Sequence, residues 1–239
     1  AGPAYGVFDA GRYIIAPNLL RRGRTSLDVM VITHLHPDHC GGAPFILERF
    51  RVGELWLNAR QTNNQYFQEV MRITKEKSIP LKYVCRGDRL RVGSMIVDVL
   101  NPRNRLIDFD GPVDQNLQSV VLRVHDGLMT GLFMGDADMF GELTLVHTNE
   151  DISADILKVA HHGSEKSCLN PFLEVVKPDV AVISCGYRNV YGNPAQGTLQ
   201  RLRTHGVRVF RTDMHGETLI TSGPEGIAVK SVLIPADNH

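Results

Sequence analysis

Four potential metal ligands stand close together in residues 33–42, which read T-H-L-H-P-D-H-C-G-G. Residues 29–32 before them read V-M-V-I, a short apolar run that is typical of a buried strand. Pro37 and the Gly41-Gly42 pair favour a tight loop after that strand. Because the strand anchors the loop, its ligand side chains can converge on one point. They are His34, His36, Asp38 and His39.

These side chains predict a transition-metal site. Imidazole nitrogens suit zinc and other transition ions, and a carboxylate also suits manganese. The alternative is a polar surface loop whose histidines are accidental. Three histidines and one aspartate at H-x-H-x-D-H spacing disfavour it.

Bulk composition limits the function classes without choosing among them. A chain of 239 residues fits one large domain or two small ones. Its formal net charge is zero, so it lacks a globally basic nucleic-acid footprint, although a local patch is compatible with that balance. No apolar run approaches the ~20 residues that span a bilayer, and we expect the isolated chain to be soluble. Four scattered cysteines do not predict a disulfide framework, and buried free thiols are the default interpretation.

Along the chain, strands and helices alternate without a linker, which predicts one α/β domain over residues 1–239. Residues 65–77 give the clearest amphipathic helix. Residues 5–8 read as a single strand, and residues 101–115 as a long loop rich in Pro, Asn, Asp and Gly. Residues 12–24 show no clear period, and their basic cluster Arg21, Arg22 and Arg24 reads as a solvated loop.

Further ligands are expected at the ends of later strands. Met134-Gly135-Asp136 places a carboxylate after an apolar strand, and its glycine permits close backbone approach. Residues 156–164 repeat this design, with an apolar strand followed by His161-His162-Gly163. In open α/β sheets, ligands collect at the carboxyl ends of the strands.

These motifs resemble the metallo-β-lactamase superfamily and, within it, the C-terminal domain of the ComEC-type DNA-uptake channel proteins. The similar stretches include K-V-A-H-H-G-S-E-K-S at 158–167, S-C-G-Y-R-N-V-Y-G-N-P at 184–194 and R-T-D-M-H-G at 211–216. The resemblance covers about residues 8–221. It implies a four-layer αββα sandwich, with two mixed sheets face to face and helices outside, and a site for two divalent ions, Mn²⁺ or Zn²⁺. It also implies that the chain is excised from a larger membrane protein.

The resemblance assigns the ligands residue by residue. His34 and His36 match the first metal position, and Asp38, His39 and His162 match the second. Asp136 matches the bridging aspartate. His161 is then expected to contact the substrate phosphate or the leaving group.

Two departures from the family pattern matter. A third histidine that usually serves the first position is missing, because residues 114–119 read D-Q-N-L-Q-S. Asn116 or Ser119 is a candidate oxygen ligand or water holder there, and we expect the second position to fill first. Asn193-Pro194 stands where relatives have His-Pro, which removes one substrate-handling imidazole.

The remaining site predictions concern the substrate. Asp38 or Asp136 can orient the attacking water, while Lys158 and Lys166 flank the His-His-Gly loop and can contact phosphate. A solvated surface is the alternative for Lys166. Ser164 and Ser167 can bond phosphate or cap the helix at Pro171, and capping is favoured. The expected phosphate contacts in the 101–115 loop are Arg103 and Arg105.

We weighed three functions. The leading one is a metal-dependent nuclease that cleaves DNA phosphodiesters during DNA uptake. Its expected substrate is a single strand or the strand that is not imported. Its expected place is beside the membrane channel of the same protein, on the extracytoplasmic face. No organic cofactor is expected. The alternatives are a metallohydrolase on another phosphodiester or ester, because fold alone does not assign chemistry, and a catalytically weak DNA-binding module.

Overall fold

A computed structural model describes residues 2–58, 64–104 and 114–233. The chain divides into two compact units. The first unit contains residues 1–85 and 102–120, and the second contains residues 86–101 and 121–239. The interpretation of residues 1–239 as one domain stays a prediction.

The first unit is built on a parallel sheet of three strands in the order β3–β4–β5. Its strands and helices, in chain order, are β1 (Ala4–Tyr5), β2 (Phe8–Asp9), α1 (Ala16–Arg21), β3 (Ser26–Val31), α2 (Pro37–Cys40), α3 (Ala43–Arg49), β4 (Arg51–Leu57), α4 (Gln65–Glu76) and β5 (Leu81–Tyr83). The predicted strand before the histidine cluster is therefore confirmed. Helix α4 begins after Asn64, whose side chain accepts hydrogen bonds from the Tyr66 and Phe67 amides.

The N-terminal segment departs from the predicted pattern in two places. Tyr5 and Phe8 pair across a turn at Gly6-Val7, as parts of the antiparallel strands β1 and β2, so the predicted single strand is wrong. Where no period was evident, a π-helical stretch at Gly11–Ile15 is followed by α1, which includes Arg21, while the exposed Arg22 and Arg24 lie beyond that helix. Ala16 is buried, and Ile15 and Leu19 pack against the core of the unit. Tertiary packing of this short apolar face stabilises a helix whose local pattern is weak.

The second unit contains a mixed sheet of seven strands in the order β12–β11–β10–β9–β8–β7–β6. Strands β6 to β9 are antiparallel neighbours, and β9 to β12 are parallel neighbours. These strands are β6 (Arg89–Val92), β7 (Met95–Asn101), β8 (Val121–His125), β9 (Thr130–Phe133), β10 (Ile156–Lys158), β11 (Val180–Ile183) and β12 (Arg208–Arg211).

The helices of the second unit pack on this sheet around a separate apolar core that includes Leu132, Leu157 and Phe172. They are α5 (Met139–Val146), α6 (Asn170–Val176), α7 (Gln196–Thr204) and α8 (Thr212–His215), and a hairpin follows of β13 (Thr218–Gly223) and β14 (Gly226–Ser231). Because β9 to β12 are parallel, their carboxyl ends share one edge of the sheet. The 134–136 and 159–164 segments both begin at that edge.

The predicted 101–115 loop is only partly described. Asn101 belongs to β7, and residues 105–113, with Arg105, lie outside the described residues. Within the described ranges, no helix combines the length and apolarity needed to cross a bilayer.

Candidate metal centre

The histidine cluster of the first unit follows β3 directly. His36 has an extended backbone and precedes α2, so Asp38 falls in the first turn of that helix. The ring centroid of His34 lies 4.7 Å from that of His36 and 4.1 Å from that of His39. The ligand atoms of His34 and His36 lie within 4.8 Å of each other, as do those of Asp38 and His39. The structure therefore gathers these four predicted ligands within one short loop.

Hydroxyl groups engage the inner nitrogens of two of these rings. Thr33 Oγ1 lies 3.1 Å from His34 Nδ1 and 3.4 Å from His39 Nδ1. Ser119 Oγ, fully buried, lies 3.2 Å from His34 Nδ1. Contacts of this kind at Nδ1 orient an imidazole so that Nε2 binds an ion. Sequence reasoning did not single out Thr33, although its place just before the cluster was a usable signal.

Asn116 and Ser119, the predicted substrate contacts of the first unit, occupy one turn. The Ser119 amide donates to the Asn116 carbonyl at 3.0 Å. Among the described residues, Asn116 Oδ1 is buried and makes no hydrogen bond. A buried oxygen in that state is costly unless a ligand or water engages it. Asn116 therefore remains a proposed oxygen donor at the first position, while Ser119 orients His34.

In the second unit, Asp136 follows β9 through a reversal of the chain at Gly135, whose φ is 55°. The Asp136 side chain is almost completely buried, and its carboxylate lies within 4.8 Å of a ring nitrogen of His162. The two residues come from neighbouring parallel strands in which Phe133 pairs with Lys158. The structure thus brings the M-G-D and H-H-G motifs together at one sheet edge.

The His161-His162 pair has an unusual backbone. Both residues are left-handed, with φ of 46° and 54°. This conformation costs roughly 1–2 kcal/mol for each residue that is not glycine. Strain of this kind concentrates at functional sites. No sequence signal revealed it.

Each of these rings has a defined partner. The Nδ1 of His162 lies 2.8 Å from the Ser184 carbonyl oxygen. Because a carbonyl oxygen can only accept, Nδ1 carries the proton, and Nε2 is the nitrogen left to bind an ion. The Nδ1 of His161 lies 3.1 Å from Asp138 Oδ2, and its Nε2 lies 3.9 Å from Asp136 Oδ2. The Ser184 contact thus occupies Nδ1 of His162 and leaves its Nε2 as the candidate donor to an ion, whereas a separate carboxylate, that of Asp138, holds His161. Asp138 and Ser184 were missed as partners by sequence reasoning.

The two predicted lysines differ in their surroundings. Lys158 ends β10, and its Nζ donates to the Val159 carbonyl at 3.0 Å. Burial lowers the pKa of this ammonium, and the nearby Asp136 charge opposes that effect. Lys166 is exposed in the turn that follows the His-His-Gly segment. Both stay proposals as phosphate contacts.

The expectation that Ser164 and Ser167 cap the helix at Pro171 was wrong. Helix α6 has Leu169 at its N-cap without a side-chain cap, and Ser167 Oγ donates instead to the Ala160 carbonyl at 3.0 Å. Glu142, fully buried on α5, accepts from the Cys168 and Leu169 amides at 2.7 and 2.8 Å. Glu142 therefore anchors the segment that leads into α6, because it satisfies two amides just before the first turn of the helix. Ser164 stays a proposed phosphate contact.

The donor chemistry of both units fits a divalent transition ion. Imidazole nitrogens and carboxylate oxygens suit Zn²⁺ and Mn²⁺. Hydrogen bonds at the Nδ1 atoms of His34 and His162 supply the outer contacts that metal-binding histidines usually have. Cys40, next to the histidine cluster, is buried, its thiol donates to the Leu35 carbonyl, and burial raises its pKa to about 11.

Comparison with known families decides the relationship. The model of the metallo-β-lactamase superfamily matches residues 6–187, which is most of the chain. The chain belongs to the metallo-β-lactamase superfamily. The resemblance stated from its motifs, and the predicted fold class, are therefore confirmed.

Curated relatives bear out the competence branch of the resemblance. The chain is 32% identical over 87% of its length to ComE operon protein 3 of Bacillus subtilis, and 30% identical over 96% of its length to competence protein ComA of Neisseria gonorrhoeae. Recombination protein 2 of Haemophilus influenzae is 29% identical over 86% of the chain. The chain spans only 26%, 30% and 24% of these proteins, respectively.

A solved structure agrees on the fold alone. CmlA, a diiron β-hydroxylase from Streptomyces venezuelae, superposes with a TM-score of 0.50 at 14% sequence identity. The match covers 78% of this chain and 44% of CmlA.

Proposed function

We propose that this superfamily domain is a metal-dependent phosphodiesterase that cleaves DNA as part of a membrane DNA-uptake protein. The observation that carries the proposal is the Asp136–His162 pair at one sheet edge, with His162 oriented by Ser184. Together with the histidine cluster of the first unit, it offers the donor set that the superfamily uses. The competence relatives favour DNA as the substrate.

We assign the ligands as follows. His34 and His36 would hold one ion, Asp38, His39 and His162 would hold the other, and Asp136 would bridge them. When bound, such ions neutralise phosphate charge and lower the pKa of water. The protein contributes orientation: Thr33 and Ser119 fix the His34 ring, and the Ser184 carbonyl fixes His162.

The groups around the ligands have separate roles in this proposal. The buried carboxylate of Asp136, or Asp38, would accept a hydrogen bond from the attacking water and so aim its lone pair. His161, whose Nδ1 faces Asp138, would present Nε2–H to the leaving oxygen. Lys158 would hold positive charge beside Asp136, and Ser164 and Lys166 would contact phosphate.

The relatives also support a proposal about cellular placement. The chain matches only part of the length of proteins that include a competence protein. We propose that it lies beside the membrane-embedded part of such a protein, on the extracytoplasmic side. DNA and that channel portion would be its partners.

The test is digestion of labelled linear single-stranded and double-stranded DNA with Mn²⁺, Zn²⁺, Mg²⁺ or EDTA. A chromogenic phosphodiester is assayed in parallel. We expect metal-dependent cleavage of DNA that EDTA abolishes. Hydrolysis of the small diester with intact DNA would favour the alternative metallohydrolase. DNA binding without hydrolysis of either substrate would favour the binding module.

A further inference from the structure

A loop of the second unit exposes large side chains that packing does not use. Residues 185–194, here called the tyrosine loop, follow β11. Tyr187 and Tyr191 are 71% and 84% exposed, and Val190 between them is 93% exposed. Clustered exposed apolar groups mark interaction surfaces more often than isolated ones do. The two exposed aromatic rings therefore mark this loop as a candidate binding surface.

The tyrosine loop is closed by hydrogen bonds of its own. The Asn189 side chain donates to the Gly186 carbonyl at 3.0 Å and accepts from the Asn193 amide at 3.1 Å. The Gly192 amide donates to the Asn189 carbonyl at 3.2 Å. These bonds hold the backbone between the two tyrosines, so the rings project from a built turn.

Both ends of the loop are fastened to the His161–Gly163 turn. The Ser184 carbonyl, just before the loop, accepts from His162 Nδ1 at 2.8 Å. At the other end, the Ala195 amide donates to the Gly163 carbonyl at 2.9 Å. A Cβ at Gly163 would lie 2.7 Å from the Pro194 Cβ, which shows how closely the two segments pack. Tyr187 is three residues from Ser184, so its Cα lies within roughly 11 Å of that residue's Cα.

The charge of the loop suits a polyanion. The Arg188 guanidinium carbon lies 5.2 Å from the Tyr187 ring centroid, in the geometry of a cation–π contact. Residues 184–194 include no acidic side chain. Aromatic faces beside an arginine are the means by which proteins bind single-stranded nucleic acid, because every base has a face that stacks. Duplex bases are already stacked and offer no free face to the rings.

We propose that Tyr187 and Tyr191 stack on the bases of single-stranded DNA, with Arg188 contacting its phosphates, and that this loop makes single strands the preferred substrate. This inference rests on the proposed function, which puts the cleavage site beside the tyrosine loop. It adds the residues that distinguish single-stranded DNA from duplex DNA. Tyrosine and arginine also anchor protein interfaces, but a loop that carries an arginine and no acidic residue favours a polyanion.

The test measures binding apart from cleavage. Fluorescence anisotropy in EDTA follows a labelled oligothymidylate of about 12 nucleotides, within the usual site sizes, and a duplex of equal length. The variants are the double substitutions Tyr187→Ala/Tyr191→Ala and Tyr187→Phe/Tyr191→Phe. Tyr13→Ala is the matched control, because Tyr13 is 54% exposed and has Arg12 at 5.6 Å from its ring.

We expect the double alanine variant to bind single strands at least about 10-fold more weakly, as loss of base stacking predicts. The phenylalanine variant and Tyr13→Ala should bind as the wild type does, and duplex binding should change little. An abasic oligonucleotide should bind the wild type as weakly as the thymidylate binds the double alanine variant.

Three results would overturn the proposal. They are unchanged single-strand binding by the double alanine variant, equal loss for the duplex, and equal loss in Tyr13→Ala. If the double alanine variant keeps wild-type binding of single strands but no longer associates with the membrane-embedded part of the protein, the loop is a protein contact and the proposal is wrong. Binding that follows the expected pattern without any cleavage would refute the nuclease and leave the stacking role standing.

Discussion

The Nδ1 of His162 donates to the carbonyl oxygen of Ser184 at 2.8 Å, and this one contact fixes which nitrogen of the ring faces the ligand side. The two residues come from the ends of neighbouring parallel strands, β10 and β11. A metal-binding histidine needs such an outer contact, since without it the ring can rotate and change tautomer. The contact also leads into the loop that carries Tyr187.

Replacing His162 or His34 by alanine should remove metal binding without unfolding the chain. Loss of an outer contact alone typically costs 10–100-fold in metal affinity, so loss of a ligand should cost at least about 100-fold. Calorimetric titration with Mn²⁺ or Zn²⁺ measures this, and circular dichroism checks the fold. His147→Ala is the control, because His147 also places Nδ1 on a carbonyl, that of Leu143 at 2.7 Å, but follows the last residue of α5 and belongs to no proposed ligand set. Wild-type metal affinity in His162→Ala would refute the assignment.

The two metal positions should fill in order. In the proposed assignment, Asp38, His39, Asp136 and His162 would supply four protein ligands to one position, whereas the other position would lack a third histidine. We expect a tight first equivalent and a weaker second one in a metal titration. His39→Ala should eliminate the tight equivalent, and His36→Ala should keep it. The reverse result would invert the order.

Two hydroxyl substitutions should separate the positions further. The Ser119 hydroxyl contacts the His34 ring, while the Thr33 hydroxyl contacts the rings of both His34 and His39. Ser119→Ala should therefore lower the metal affinity of the weaker equivalent, at the position of His34 and His36, about 10–100-fold and leave the tight equivalent unchanged. Thr33→Val should lower the metal affinity of both equivalents. Equal effects of the two substitutions on both equivalents, measured by the same titration, would contradict this placement.

The His161–Asp138 pair should matter most when the leaving group is poor. Groups that protonate or hydrogen-bond a leaving oxygen contribute roughly 10²–10⁴-fold. His161→Ala and Asp138→Asn should therefore slow DNA cleavage about 100-fold or more. A p-nitrophenyl diester, whose leaving group needs little help, should lose far less. A similar loss on both substrates, or loss of metal binding in the titration, would show that the pair acts on the ligands instead.

Glu142 should make stability depend on pH. Burial raises the pKa of its carboxyl from 4.5 to about 7, against the two amides that donate to it. The folded state then holds this proton more tightly than the unfolded state, so the free energy of unfolding falls as pH rises from 4.5 to 7. The change is on the order of 3 kcal/mol.

Urea unfolding of wild type and Glu142→Gln across that range isolates this residue, because every other titratable group is common to both proteins. The difference between the two free energies of unfolding should shift by that amount and level off above pH 7. A constant difference would show that the carboxyl keeps an ordinary pKa.

Much of the site is local in the chain and was predicted from sequence. His34, His36, Asp38 and His39 fall within six consecutive residues, so a strand, a proline and a glycine pair suffice to bring them together. The M-G-D and H-H-G motifs each follow an apolar run, and the parallel order of β9 and β10 then places Asp136 beside His162. The amphipathic period of α4 was likewise readable, whereas its cap by the Asn64 side chain was not predicted.

Contacts between distant residues were decided only by the tertiary structure. Ser119 meets His34 across 85 positions, Glu142 meets Cys168 across 26, and Ser184 meets His162 across 22. No local pattern encodes such pairs, because a hydroxyl, carboxylate or carbonyl finds its partner only after the strands have set their register. The left-handed backbone of His161 and His162 has the same origin: side-chain sterics disfavour it locally, and the surrounding packing and hydrogen bonds hold it in place.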